Sequence, residues 1–276
     1  SGDALDLNAQ SISVGNATSN NGSVLLTATA GDITAGIVTA STDITVNASG
    51  TPVLTNAISG GNTSITGQSV TLNNGTVGGD LTLNATAGDV DGNGAVTVGG
   101  GIDLDATGAV GFGSLNAQGG SFTVDAGTDI NFAGATSSDF ITMNAGGTIN
   151  GGDLTAVNAL NLTGGNITIG DASAGGINFA SGNDILFNAI TSPNSVILTA
   201  SNGTIGANTG AGNVTTTNLG AGINLFADNI AVGALTTNSG DILVSAGQDI
   251  VLGSAATGAA TPTAGSIGLL AAGDLL

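Results

Sequence analysis

The sequence predicts an all-β fold, a single-stranded right-handed parallel β-helix (β-solenoid) of about 14 coils of about 20 residues each. Three observations lead to this fold class: a short motif that recurs along the chain, an alternation of apolar and polar residues within each copy, and a composition that disfavours helices. The right-handed path follows the usual handedness of connections between parallel strands. We expect residues 1–276 to form one continuous solenoid, a segment of a longer chain or fibre.

The recurring motif is an apolar–x–apolar–x–Ala run, followed some five residues later by another apolar residue, usually after Gly-Asp. Residues 24–33 align without a gap on residues 81–90. Successive copies start mostly about 19 to 21 residues apart, which is the spacing of solenoid coils. The spacings after Val196 and Ile242 are longer, near 27 and 25 residues, and predict bulging loops there. Copies begin at Leu5, Val24, Ile44, Ile65, Leu81, Ile102, Phe122, Ile141, Leu160, Ile177, Val196, Ile223, Ile242 and Ile267.

Within each copy the alternation has the period of a strand that buries one face, as in residues 102–105 and 122–125. Glycine and β-branched residues dominate, and no segment carries an apolar stripe of helical period. A coil is too small to close a core alone, so the coils must stack and bury a continuous apolar column. The recurring alanine, for example Ala28 and Ala85, predicts a tight inward corner.

The charge balance limits the possible partners. The chain has 19 acidic residues, all of them Asp, and no Lys, Arg or His, which gives a net charge of −19. Binding to nucleic acid and to anionic lipid depends on Lys and Arg, so neither is expected. No apolar run reaches the length of a membrane span, so no direct membrane insertion is expected.

Three segments, residues 79–85, 101–106 and 240–250, resemble the repeats of filamentous-haemagglutinin-type adhesins. The resemblance covers nearly the whole chain and implies a right-handed parallel β-helix secreted by a two-partner or autotransporter-like route. It implies a structural rod of an extracellular fibre or adhesin stalk on a bacterial cell surface. The partners would be copies of the chain, or flanking repeats, stacked end to end. The complete lack of Lys and Arg departs from the family.

We do not expect an enzyme, because Asp is the only titratable side chain available for acid–base chemistry. Two pairs of carboxylates, Asp89 with Asp91 and Asp103 with Asp105, are the candidates for glycoside hydrolysis. The sequence places the first pair in a turn and the second on an outward strand face. No organic cofactor is expected.

Calcium is the one cofactor that the sequence suggests. Asp89, Asp91 and Asn93 match the first half of an EF-hand loop, with a glycine at the sixth position. The bidentate Glu of such a loop is replaced by Gly100, although Asp103 or Asp105 could substitute from the next strand. The alternative is a glycine-rich turn in which Asp and Asn side chains bond to the backbone.

The outward positions of the repeated strands are expected to form two columns of polar residues along the solenoid. Clear members of these columns are Thr45, Asn47, Thr82, Asn84, Thr142 and Asn144. Such columns suit a solvated face with hydrogen-bonded ladders. They also suit an ice- or glycan-binding solenoid, with host or cell-surface glycans as the partners. The columns are interrupted by candidates for a lateral contact, namely Leu25, Ile197, Phe226 and Leu243.

Overall fold

The computed structural model describes residues 3–258 and 265–276 of the chain. The fold is an all-β parallel β-solenoid of about 13 turns of about 19 residues, so the predicted fold class is confirmed. Contacts group the chain into two compact units, Ser1–Asp139 and Phe140–Leu276, which we call unit 1 and unit 2. Among the described residues, no helix is long and apolar enough to cross a membrane.

Each coil of unit 1 contributes one strand to each of two parallel sheets, sheet A and sheet B. The strands of sheet A are β1 (Leu5–Ala9), β3 (Val24–Ala28), β5 (Ile44–Ala48), β7 (Thr63–Gly67), β9 (Leu81–Ala85), β11 (Ile102–Ala106) and β13 (Phe122–Ala126). The strands of sheet B are β2 (Ile12–Ser19), β4 (Ile33–Ala40), β6 (Pro52–Ser59), β8 (Val70–Val77), β10 (Val90–Val98), β12 (Val110–Ala117) and β14 (Ile130–Ser137).

The strands of sheet A follow the predicted alternation. In β3 the side chains of Val24 and Leu26 are 0% exposed, and Ala28 closes the strand at a buried corner. Each strand pairs in register with the next, so Val24 lies opposite Ile44 and Ala28 opposite Ala48. Stacking therefore places like residues over like residues and builds one apolar column.

The strands of sheet B break the alternation once in their middle. In β4 the residues Ile33 and Ala35 point inward, Gly36 and Ile37 both lie away from the core, and Val38 is inward again. The pairing of β4 with β2 has no pair at Gly36, but the register is the same on both sides of it. The inward side chains therefore change phase at the same place in both strands, and the two strands stay in register.

Unit 2 repeats the arrangement with a more divided sheet B. Its sheet A strands are β15 (Phe140–Ala145), β17 (Ala159–Gly164), β20 (Gly176–Ser181), β23 (Val196–Ala200), β26 (Ile223–Ala227), β28 (Ile242–Ala246) and β30 (Ile267–Ala271). Its sheet B strands are β16 (Thr148–Ala156), β18 (Asn166–Thr168), β19 (Asp171–Ser173), β21 (Ile185–Phe187), β22 (Ala189–Ser192), β24 (Thr204–Ala207), β25 (Asn213–Leu219), β27 (Asn229–Asn238) and β29 (Ile250–Thr257). Three coils thus split their sheet B strand into two short pieces.

The long coil that starts at Val196 contains the predicted bulges. Residues 208–212 connect β24 to β25, and Gly212 has a φ of 64°. A second bulge follows β25, where Gly220 has a φ of 76° and Leu219 is 62% exposed. Part of the other predicted bulge, in the coil that starts at Ile242, falls on residues 259–264, outside the described residues.

One predicted coil start differs from the structure by two residues. The sequence placed the fourth start at Ile65, but β7 begins at Thr63, and Ile65 lies opposite Val46. Thr63 is 1% exposed and occupies an inward position because its hydroxyl lies 2.8 Å from that of Ser59. The polar residue is therefore a core residue, which an apolar pattern does not detect.

Candidate interaction surfaces

The outward positions of sheet A form two columns in each unit, because the strands pair in register. In unit 1 the first A column is Asp6, Leu25, Thr45, Ser64, Thr82, Asp103 and Thr123. The second A column of unit 1 is Asn8, Thr27, Asn47, Thr66, Asn84, Asp105 and Asp125. The residues Ser64 and Thr66 belong to these columns and were missed because the start at Ile65 was misplaced.

The two A columns of unit 2 have a different composition. The first is Thr142, Asn161, Asn178, Ile197, Asn224, Leu243 and Gly268. The second is Asn144, Thr163, Ala180, Thr199, Phe226, Ser245 and Leu270. Unit 1 carries four Asp residues at these positions, whereas these fourteen positions of unit 2 carry none.

Three of the Asp residues in unit 1 are close together. Asp105 and Asp125 lie opposite each other on β11 and β13, and Asp103 precedes Asp105 on the same face. Partial burial raises the pKa of Asp103 above its usual value, and the carboxylates of Asp105 and then Asp125 raise it further. A groove of about 420 Å³ runs beside this group, and among its lining residues are Asp80, Asp103 and Ser121.

The candidate lateral contacts are divided between the units. Leu25 lies in the first A column of unit 1. In unit 2, Ile197, Phe226 and Leu243 occupy adjacent strands and alternate between the two columns. Leu270 on β30 continues the same alternation and is 67% exposed. We call the set Ile197, Phe226, Leu243 and Leu270 the apolar stripe.

The calcium candidates lie mainly along a strand. Asp89 directly precedes β10, and Asp91 and Asn93 both lie on the exposed face of β10. Asp89 Oδ1 accepts a hydrogen bond of 2.7 Å from the backbone N–H of Ala109 in the next coil. Partial burial raises the pKa of Asp91, and the charge of Asp89 raises it further. The described residues include no cluster of three or more metal-ligating Asp, Glu, His or Cys side chains. Calcium binding here stays a prediction that would require ligands from neighbouring coils.

A hydrogen-bonded ladder runs along the corners of unit 1 and uses Asp and Asn residues that directly precede strands of sheet A. Asp43 Oδ1 accepts the backbone N–H of Asn62 at 2.7 Å. Asn62 Oδ1 in turn accepts the N–H of Asp80 at 2.8 Å, and Asp80 Oδ1 accepts the N–H of Gly101 at 2.8 Å. Each side chain therefore ties its own coil to the next one. We call this arrangement, wherever it occurs, the corner Asx ladder.

The corner Asx ladder explains the Gly-Asx pairs of the sequence. A Cβ atom on Gly100 would overlap Asp80 Oδ1, and a Cβ atom on Gly61 would overlap Asp43 Oδ1. The glycine in each coil thus leaves space for the carboxylate or amide of the previous coil. The side-chain oxygen of Asp and Asn is one bond closer to the backbone than that of Glu and Gln, which suits the short distance to the backbone N–H of the next coil.

Unit 2 has hydrogen bonds of the same kind, but before strands of both sheets. On the sheet B side, Asn166 Oδ1 in β18 accepts the N–H of Asp184 at 3.3 Å, and Asp184 Oδ1, just before β21, accepts the N–H of Thr204 at 2.8 Å. Further along, Asp249 Oδ1, before β29 of sheet B, accepts the N–H of Asp274 at 2.9 Å, and Asp241 Oδ1, before β28 of sheet A, accepts the N–H of Ser266 at 2.7 Å.

A second set of polar residues lies inside the corners. The hydroxyl of Thr237 donates a hydrogen bond of 2.6 Å to the carbonyl of Gly240, and that of Thr216 donates one of 2.8 Å to Ala221. In unit 1 the hydroxyl of Ser59 donates to the carbonyl of Gly61 at 3.0 Å. Across the described residues, no buried side-chain oxygen or nitrogen lacks a partner. Each of these hydroxyls donates to a carbonyl of its own corner, and the carbonyl of Gly61 also accepts the backbone N–H of Gly79 at 2.9 Å.

Sheet B carries a threonine-rich column that sequence reasoning missed. In unit 1 the next-to-last positions of the strands, in register, are Thr18, Thr39, Ile58, Thr76, Thr97, Asn116 and Thr136. In unit 2 the residues that pair in one register to form the column are Thr155, Ser173, Thr191, Thr215, Thr236 and Ala256. No member of this B column is charged. The column is not apparent from the sequence because the inward–outward alternation changes phase within the strands. The signal that could have identified it is the threonine or serine that recurs two residues before the corner.

Comparison with known proteins adds no relative: no family model, no curated protein and no solved structure matches the chain. The repeat architecture is compatible with a β-helix repeat protein.

Proposed function

We propose that this chain is a structural rod of a secreted bacterial cell-surface fibre or adhesin stalk. The observation that carries the proposal is that polar side chains are used to join coils. The corner Asx ladder links successive coils, and the buried hydroxyls of Ser59, Thr216 and Thr237 hold the corners within their own coils. Chemistry devoted to stacking suits a mechanical role rather than catalysis, and we expect no enzymatic activity.

The exposed residues of the last described coil support extension by further coils. Ile267 in β30 is 45% exposed, whereas Ile242, its register partner in β28, is 1% exposed. Another coil with the same motif would cover Ile267 in the way that interior coils cover Ile242. The motif of β1 has the same spacing, so the covering coil can come from a second copy, head to tail, or from continuation of the solenoid in one chain.

The extracellular location follows from the resemblance of residues 79–85, 101–106 and 240–250 to filamentous-haemagglutinin-type repeats. The composition suits that location, because a chain without Lys or Arg has no cleavage site for trypsin-like proteases. The net charge of −19 favours solubility and repels anionic surfaces.

The test combines two kinds of electron microscopy. Immunogold labelling of intact source cells and of thin sections through them, with antibodies to this chain, should decorate fibres outside the cell. Negative-stain images of the purified chain at rising concentration should show particles whose lengths are multiples of the shortest one. Labelling confined to the cell interior, together with particles of one length at all concentrations, would refute the proposal.

An ice- or glycan-binding solenoid is the second candidate, and the B column favours it. Five of its seven members in unit 1 are threonines, at a repeat equal to the strand spacing of about 4.8 Å. The hydroxyl of Thr136 already donates to Asn116 Oδ1 at 3.0 Å, so the column forms its own side-chain hydrogen bonds. A regular, uncharged hydroxyl surface suits a neutral, hydroxyl-rich ligand.

Thermal hysteresis and glycan-array binding test this candidate. We compare the parent with a variant in which Thr76 and Thr97 are both replaced by lysine. A second variant replaces Thr45 and Thr82 in the same way and tests the first A column, so that the two variants together show which column binds. A loss of either activity in the B column variant alone would support the candidate, and the absence of both activities in the parent would eliminate it.

A further inference from the structure

The apolar stripe of unit 2 has one large side chain on each of four neighbouring strands. Ile197 on β23 and Leu243 on β28 lie in the first A column, and Phe226 on β26 and Leu270 on β30 lie in the second. Phe226 lies opposite Thr199 and Ser245, which places it diagonal to both Ile197 and Leu243. Diagonal neighbours across a sheet are about 7–8 Å apart, within reach of an aromatic side chain. The stripe is therefore continuous.

Small or polar residues fill the alternate places. Thr199, Asn224, Ser245 and Gly268 occupy the positions beside the stripe on the same four strands. The face thus presents large side chains and gaps in alternation, and a two-fold rotation can place the large side chains of one copy against the gaps of another. A surface of this kind is self-complementary, as isologous dimer interfaces require.

The charge distribution indicates which partner this face accepts. Two copies of a chain with a net charge of −19 and no cation repel each other wherever carboxylates meet. The fourteen outward positions of sheet A in unit 2 carry no Asp, whereas the equivalent positions of unit 1 include Asp103, Asp105 and Asp125. A cationic partner would be attracted to the acidic face. The uncharged, apolar face fits a second copy of the same chain.

We propose that the face of sheet A in unit 2 is a lateral dimerisation surface, on which the apolar stripe of one copy packs against that of a second copy. The inference extends the proposed function from stacking along the fibre to pairing between fibres. Full overlap of seven strands of five residues would bury roughly 1,000 Å² in total, estimated from strand spacing and rise. That area is at the lower limit of specific interfaces, so the dimer should be weak for single chains. Higher salt should strengthen it by screening the repulsion.

Sedimentation equilibrium of the full chain over a wide concentration range, at low and at high salt, tests the proposal. We expect a monomer–dimer equilibrium that tightens with salt. Leu243→Asp should weaken it at least tenfold, and Leu243→Thr, which restores the polar column, should weaken it less. Leu219→Asp is the control and should leave the dimer unchanged, because Leu219 is an exposed leucine of β25 in sheet B, outside the apolar stripe. Circular dichroism and thermal unfolding confirm that each variant is folded.

The results separate this surface from end-to-end stacking. Stacking at the ends produces oligomers longer than a dimer and is insensitive to Leu243. A parent that stays monomeric at every concentration and salt, or a dimer that Leu243→Asp leaves unchanged, would overturn the lateral proposal and leave the rod function standing. A dimer that is weakened by Leu243→Asp, together with an absence of oligomers longer than a dimer, would support the lateral surface and count against end-to-end stacking.

Discussion

Asp105 and Asp125 face each other at the same outward position of adjacent parallel strands, and the chain contains no cation to neutralise them. Asp103 lies on the same face, and its pKa is raised by partial burial and by these two carboxylates. A raised carboxyl pKa means that the folded state binds the proton more tightly than the unfolded state does. The free energy of unfolding should therefore increase as the pH falls through the folded pKa of Asp103, and the increase should be complete below the usual Asp pKa of about 3.9.

The variant Asp103→Asn removes this repulsion at neutral pH. We expect it to be more stable than the parent at pH 7 by about 0.5 kcal/mol, because these carboxylates are well exposed and screened. The difference should shrink as the pH is lowered from 7 towards 4, because the pKa of Asp103 is raised and its carboxyl takes up a proton at a higher pH than an ordinary Asp does. Denaturant unfolding at the two pH values measures both effects. Asp6→Asn is the control, because Asp6 lies in the same column opposite Leu25 rather than near another carboxylate. A variant less stable than the parent at pH 7 would contradict the prediction.

The corner Asx ladder predicts opposite effects for two substitutions of Asp80. Asp80→Asn keeps the Oδ1 acceptor for the N–H of Gly101 and removes a negative charge, so stability should be unchanged or slightly higher. Asp80→Ala removes the acceptor as well and should be less stable than Asp80→Asn by about 1 kcal/mol. Thermal and denaturant unfolding measure the difference. Equal stabilities of the two variants would show that the hydrogen bond contributes nothing.

The buried hydroxyls predict a contrast between two adjacent threonines. Thr237 is 1% exposed and donates to the carbonyl of Gly240, whereas Thr236 points outward in the B column. Thr237→Val keeps the shape but leaves the carbonyl without its donor, and it should cost about 1–3 kcal/mol. Thr236→Val should be neutral, because valine is well accepted on a strand. If the two variants lose the same stability, the corner hydroxyl is not the cause.

Two phenylalanines in sheet A of unit 2 allow a test of how much burial in the core contributes to the free energy of unfolding. Phe179 on β20 is fully buried, and Phe140 on β15 is 43% exposed. Phe179→Ala should reduce the free energy of unfolding by about 3–5 kcal/mol, through lost burial and the cavity that it leaves. Phe140→Ala should cost less than about 1 kcal/mol. Denaturant unfolding of both variants tests this ranking, which a reversed order would refute.

Sheet A could be predicted from the sequence because its inward positions alternate strictly. The starts at Ile44, Leu81 and Ile102 coincide with the first residues of β5, β9 and β11. In sheet B the sequence pattern shows only single apolar residues rather than an alternation. Two successive residues in the middle of a strand lie outside the core, as Gly36 and Ile37 do in β4, and they break the period of two. A period can be recognised only where it is unbroken.

The surfaces were predictable only in part, because they depend on register between coils. The two A columns follow from aligning the motif, so Thr45, Thr82 and Ile197 could be placed in advance. The corner Asx ladder could not be predicted from the sequence, because the side chain of Asp80 accepts a backbone N–H of the next coil, 21 residues away. For the apolar stripe, the sequence places Ile197, Phe226 and Leu243 on the outward face, but their diagonal arrangement required the pairing of Phe226 between Thr199 and Ser245.

The corner Asx ladder has a consequence for how such a gene can change length. Because the side chain of Asp43 or Asn62 serves only the next coil, successive junctions of this ladder use the same acceptor and the same backbone donor. Duplicating or deleting one whole repeat of the ladder would preserve these junctions, whereas inserting a single residue would shift one coil against its neighbours. Recombination between repeats is therefore a tolerated route to longer and shorter chains, and frame-preserving changes of a few codons should be confined to the bulged coils.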